Sequence, residues 1–114
     1  MLEIEKKIHN VWILFRLKGS LNATSAPELD KVVLPEIDNR LDLIFDMKDL
    51  TYISSMGLRS LMLYVKKTYD VFHHVALCNV QENVKEVIET AGVHSLLEIY
   101  DDIKDVPFAQ DVEK

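Results

Sequence analysis

The chain has 114 residues, 48% of them apolar and 28% charged, which is enough for one hydrophobic core and too little length for two. A net charge of −6, from 13 basic against 19 acidic residues, argues against nucleic acid as a partner, because phosphate binding needs a basic surface. No apolar run approaches the roughly 20 residues that cross a bilayer, residues 1–7 lack the apolar centre of a signal peptide, and a lone Cys78 suits a reducing cytoplasm.

Leu2, Ile4 and Ile8 alternate with charged residues, so residues 2–8 read as a half-exposed edge strand, followed by a turn at His9-Asn10. In residues 11–17 Val11, Ile13, Phe15 and Leu17 share one face and Trp12, Leu14 and Arg16 the other. A strand apolar on much of both faces belongs inside a sheet. Lys18-Gly19-Ser20 is expected to end it. Ser25, Pro27 and Glu28 then form a helix-start signal, with Ser25 as cap, Glu28 completing a capping box and Pro27 in the first turn. Leu29, Val32, Val33 and Ile37 give that helix its apolar stripe, and Pro35 is expected to kink or shorten it.

Residues 41–47 form a short, almost continuously apolar run that suits a buried parallel strand. A second helix opens near Ser55 and buries Leu58, Leu61, Met62 and Val65. Residues 75–78 read as another buried strand. Val84, Val87, Ile88 and Ala91 mark a third helix that Gly92 stops. Residues 96–100 read as a final strand, and Asp101-Asp102 open a last helical turn that Pro107 disrupts. The order β-β-α-β-α-β-α-β-α predicts a single α/β domain over residues 1–114. Its sheet is mostly parallel with an antiparallel edge strand, and its helices pack mainly on one side.

The chemistry-bearing segment is Ser54-Ser55-Met56-Gly57-Leu58-Arg59, which places two hydroxyls at a helix N-terminus, where backbone N–H groups and the helix dipole favour negative charge. One serine can serve simply as an N-cap. Either can serve as a phosphoacceptor, since a phosphate adds roughly −1.5 to −2 charges and sits well at that end of a helix. Serine nucleophilic catalysis finds no base held by a third group, and Gly57 does not complete a nucleophile elbow. His73 and His74 are adjacent on an extended segment and point to opposite faces, so they do not chelate one ion together, and no metal site or cofactor is expected. Cys78 reads as a buried, inert thiol. Asp46, at the expected C-terminal end of the central strand, is assigned to bracing the loop ahead of the serines. Asp42 is expected at a solvated edge.

Two segments, Gly19-Ser20-Leu21-Asn22-Ala23-Thr24-Ser25-Ala26-Pro27-Glu28-Leu29 and Ile44-Phe45-Asp46 followed by Leu50-Thr51-Tyr52-Ile53-Ser54-Ser55-Met56-Gly57-Leu58, stand in the same order and spacing as the signature segments of one family. The chain resembles the STAS domain of bacterial anti-sigma factor antagonists over nearly its whole length. The resemblance implies a binding module that is not an enzyme. It implies as partners an anti-sigma factor that is also a serine kinase, whose capture frees a sigma factor, and a PP2C-type phosphatase that reverses the kinase's phosphorylation. Aligned on Gly57, the family's phosphoacceptor falls on Ser55, with Ser54 a competing acceptor one residue away. Asn22, Thr24, Met56, Gly57 and Arg59 fall on the partner-binding surface. The chain departs from the family pattern at Asn22 and Ser54, where aspartates are usual, and at Met56, where Ser, Thr or Ala is usual. Those departures remove negative charge from the expected contact surface and add a flexible apolar side chain. They also leave open a second reading, a STAS scaffold in a larger signalling or membrane-transport assembly with no serine switch. A third, a small enzyme or ligand-binding domain at the strand ends, lacks a nucleophile–base pair, a Gly-rich loop and a metal cluster.

Overall fold

The computed structural model describes residues 1–109. Five strands form one sheet in the order β1-β2-β3-β4-β5: β1 (Leu2–Ile8), β2 (Trp12–Leu21), β3 (Asp42–Ile53), β4 (Val75–Cys78) and β5 (Glu98–Tyr100). β1 pairs antiparallel with β2 at the edge, and the other pairings are parallel. Three helices, α1 (Ala26–Asp38), α2 (Ser55–Asp70) and α3 (Glu82–Thr90), connect the parallel strands.

The two-faced pattern of β2 is the basis of this layering. Ile13, Phe15 and Leu17 join Leu43, Phe45, Met47, Val75 and Leu77 on the face covered by all three helices. Trp12 and Leu14 point the other way, with Ile44, Ala76 and Cys78. That second face is covered by the chain's C-terminal turns through Val106, Ile103 and Phe108. Asp102 caps a 3-10 turn, Ile103–Asp105, its carboxylate accepting from the Lys104 N–H at 3.1 Å; after a break at Val106 the chain turns again in 3-10 conformation over residues 107–109, so Pro107 opens a second turn.

Several expectations change in the structure. β2 does not end at Lys18-Gly19-Ser20; it continues to Leu21, because β3 also continues, to Ile53, and the two remain paired through two register irregularities. Gly19 is needed on that path. Its φ is +111°, and a Cβ there would lie 2.3 Å from the Met1 carbonyl oxygen. The polar stretch Lys48-Asp49 therefore lies inside a strand. α1 runs through Pro35 to Asp38. In α2 the fully buried positions include Tyr64 and Thr68, while Met62 and Val65 are only half-buried. The final strand begins at Glu98, two residues late, because His94–Leu96 forms a 3-10 turn that leaves Leu96 exposed. Asp42 is not at a solvated edge: it accepts from the His74 N–H at 2.8 Å and lies 3.0 Å from His73 Nδ1. His74 Nδ1 instead lies 2.8 Å from Glu98, so the adjacent histidines engage different carboxylates.

One ion pair ties β1 to α1. Lys6 Nζ lies 3.0 Å from Glu36 Oε2, and Asn39 donates to Oε1 at 3.0 Å. The hydrogen bond from Lys6 outweighs partial burial and holds the Glu36 carboxyl below its ordinary 4.5. A depressed carboxyl pKa stabilises the fold above the unfolded value, and that contribution is lost as pH falls through the folded one. Because Lys6 is 41% exposed, the pair contributes at most about 1 kcal/mol. Urea titrations at pH 7 and at pH 3 are expected to show a smaller acid-induced loss of stability in Glu36→Gln than in the native chain; equal losses would remove Glu36 from the acid response.

Candidate functional site

β2 and β3 end side by side, with Leu21 paired to Ile53, and each hands the chain to a helix. The turn after β2 leads into α1, and Ser54 opens α2, so both segments of the sequence signature meet at one edge of the molecule.

The turn over residues 22–25 is built by reciprocal capping, shifted three residues ahead of the expected pair. Asn22 Oδ1 accepts from the Thr24 and Ser25 N–H groups at 3.0 and 3.1 Å, and Ser25 Oγ accepts from the Asn22 N–H at 2.9 Å. Ser25 Oγ also donates to the Ser20 carbonyl at 2.8 Å. Ser25 is buried, and its side chain makes no cap bond to α1. The Ser25–Glu28 box is therefore corrected to an Asn22–Ser25 box: once Ser25 Oγ is turned inward to close the loop on Ser20, it no longer faces the N–H groups of α1. Asn22 is half-buried and holds this loop in shape, while Thr24 is exposed beside it.

At the start of α2 the two serines separate into different roles. Ser54 is half-buried in extended conformation; its N–H donates to the Leu21 carbonyl at 2.9 Å, and its Oγ accepts from the Gly57 N–H at 3.3 Å. Ser54 is thus the N-cap. Ser55 follows as the first helical residue, exposed, with no hydrogen bond to its hydroxyl among the described residues. Met56 and Arg59 are exposed next to it, whereas Gly57 is buried against β2. A Cβ on Gly57 would lie 2.5 Å from the Leu21 carbonyl oxygen and 2.7 Å from Leu21 Cγ, so only glycine lets the helix start seat this closely.

Between α1 and α2 runs a groove of about 290 Å³ lined by Ala23, Ala26, Pro27, Met56 and Leu63, with Asp30, Arg59 and Ser60 as its polar members. The Tyr64 hydroxyl, from a fully buried ring, donates to Asp30 and so joins the two helices. Burial, then the Asp30 carboxylate, push that hydroxyl well above its ordinary 10, and it remains a neutral donor. Neither Leu21 nor Tyr64 stood out in the sequence. Their roles arise from contacts between segments more than 30 residues apart, which leave no local pattern.

Asp46 is a further correction. It lies mid-strand in β3, far ahead of the serines, where it accepts from the Lys48 N–H and Asn79 Nδ2, each at 3.1 Å, and faces Arg16 Nε at 3.5 Å. It braces the turn after β4, where Asn79 adopts φ +58°, and not the serine loop. Burial first, then Asp46 and Asp102, push the Cys78 thiol up to about 12, which leaves little thiolate at neutral pH.

The sequence model of the STAS domain matches residues 3–106. The chain belongs to the STAS domain family. The chain is 31% identical over 84 residues to BtrV of Bordetella bronchiseptica, named as an anti-sigma factor antagonist, a match covering 73% of this STAS chain and 72% of the relative. Its fold matches the crystal structure of a Thermotoga maritima protein described as an anti-sigma factor antagonist, with a TM-score of 0.85 at 20% identity over 97% of this chain and 95% of that one. It also matches the Bacillus cell fate determinant SpoIIAA in its phosphorylated form, with a TM-score of 0.73 at 13% identity over 94% of this chain and 99% of that one. Among the described residues no helix of the STAS chain is long and apolar enough to cross a membrane.

Proposed function

We propose that this STAS protein is an anti-sigma factor antagonist, a single-domain cytoplasmic regulator that binds a serine-kinase anti-sigma factor and so frees a sigma factor. Phosphorylation of Ser55 switches the binding off, and a PP2C-type phosphatase restores it. The observation that carries this reading is the division of labour between the two serines: Ser54 Oγ is occupied as the N-cap, and Ser55 Oγ is exposed and unengaged on the same helix end. Its support from relatives is the 31% identity to BtrV.

The mechanism is local. A phosphate on Ser55 meets the unsatisfied N–H groups and positive dipole end of α2, so the fold tolerates it. The same charge and bulk stand where a partner docks, and binding is lost without refolding. Modifying Ser54 instead would disturb the cap that seats α2 on Leu21.

The test is affinity capture from native-host lysate with wild type, Ser55→Asp and Ser55→Ala as baits. Wild type and Ser55→Ala are expected to retain an ATPase-type serine kinase, identified by mass spectrometry, and Ser55→Asp to lose it. The second reading, a constitutive STAS scaffold, draws on Asn22 and Ser54, which stand where the family usually has aspartates. Identical partners on all three baits, with no kinase among them, would establish that reading and reduce Ser55 to an exposed helix residue.

A further inference from the structure

The surface around the groove between α1 and α2 has an unusual composition. Although 28% of the chain is charged, residues 19–28 and 51–63 carry only two charged residues, Glu28 and Arg59, and the groove lining itself adds Asp30 of α1. Low charge with exposed Met and Arg is a feature of interface centres, although the Ser and Ala of these segments are not. Met56 is 43% exposed beside the groove. Arg59 is exposed and makes no ion pair among the described residues, although the chain as a whole is acidic. Across the groove, the Asp30 carboxylate is engaged by the Tyr64 hydroxyl, and Arg59 is the cation in the lining.

We infer that this groove receives one large apolar side chain from a partner segment, and that a carboxylate next to it in the partner pairs with Arg59. The occupant is a segment of the anti-sigma factor kinase, so the inference rests on the proposed function and specifies how that partner is recognised. The apolar lining from Ala23, Ala26, Pro27, Met56 and Leu63 supplies the pocket, and its volume suits a single side chain. Arg59 supplies the sign: it is exposed with no ion pair among the described residues, whereas the Asp30 carboxylate that lines the α1 wall of the groove is engaged by the Tyr64 hydroxyl, and the capping loop carries no carboxylate at Asn22 or Ser54. Ser55 lies four residues before Arg59, on the same side of the helix, within the area such a segment would cover.

The experiment uses the full chain and the purified kinase that wild type captures. Binding is measured by calorimetry for wild type, Arg59→Glu, Arg59→Lys and Ala23→Phe, the last of which fills the groove mouth, with each variant's melting temperature as a fold control. Arg59→Glu is expected to weaken binding roughly tenfold or more and to flatten its salt dependence, with Arg59→Lys between it and wild type. Ala23→Phe is expected to weaken binding without changing the salt dependence. Wild-type affinity in both Arg59→Glu and Ala23→Phe would overturn the groove. Ser55→Asp, measured alongside, separates the two ideas. If it binds like wild type while Arg59→Glu does not, the switch fails and the groove stands; the reverse pattern removes the groove and keeps the switch.

Discussion

Gly57→Ala will destabilise the protein by about 2–3 kcal/mol, even though alanine is the better helix former. The propensity gain from the substitution is about 1 kcal/mol. Against it stands a Cβ placed 2.5 Å from the Leu21 carbonyl oxygen and 2.7 Å from Leu21 Cγ. The carbonyl is backbone, and it already accepts the Ser54 N–H at 2.9 Å, so it has no free direction in which to yield. The start of α2 must then lift off the end of β2, which stretches the Ser54 bond and opens the groove beneath Met56. Steric cost therefore exceeds propensity gain. Urea unfolding measures the first effect, and the affinity for the captured kinase measures the second; both are expected to fall together. A variant as stable as wild type, or more so, would show that α2 is not seated against Leu21 as described.

Phe45→Ala is expected to cost about 3–5 kcal/mol, a large share of the 5–15 kcal/mol typical of a whole domain. Phe45 is completely buried in β3 and is stacked between Phe15 of β2, at 5.2 Å, and Tyr64 of α2, at 5.8 Å. Its removal leaves a cavity between sheet and helix that the rigid β2–β3 pairing cannot close, so both the transfer and the cavity contributions apply. Tyr64 is then free to tilt, and its hydroxyl is the link from α2 to Asp30 in α1. The conservative change Phe45→Leu should cost distinctly less, because most of the space stays filled. Equilibrium denaturation of both variants checks the ordering. A Phe45→Ala loss below about 2 kcal/mol would mean that the helix layer collapses freely onto the sheet.

The same layering explains what was legible in advance. Alternation in residues 2–8 and the two apolar faces of residues 11–17 report burial, and the structure places them as edge and interior strands, except that Val11 lies ahead of β2 and is exposed. The α3 segment, with Gly92 at φ +76° just past its end, was equally plain. Local patterning failed where burial and secondary structure diverge. Lys48 and Asp49 look like loop residues because they are solvated, yet they continue β3, since β2 supplies backbone partners beyond its bulges. Ser25 does stand at the N-cap position of α1, but the loop closing on Ser20 turns its hydroxyl inward, and the side-chain capping falls to Asn22 in the turn ahead of it.

Residue type and short-range spacing suffice for the α/β order, the position of both signature segments and the serine pair at a helix start. Which serine hydroxyl is left unengaged follows from long-range contacts. That choice depends on Leu21, whose carbonyl takes the Ser54 N–H and whose side chain leaves room for Gly57 but not for a larger residue. The same long-range contacts set Asp46 against Asn79 and place a groove lined by Met56 and Arg59 beside Ser55. Each of these comes from the pairing of parallel strands joined by helical crossovers, a geometry that local periodicity does not encode.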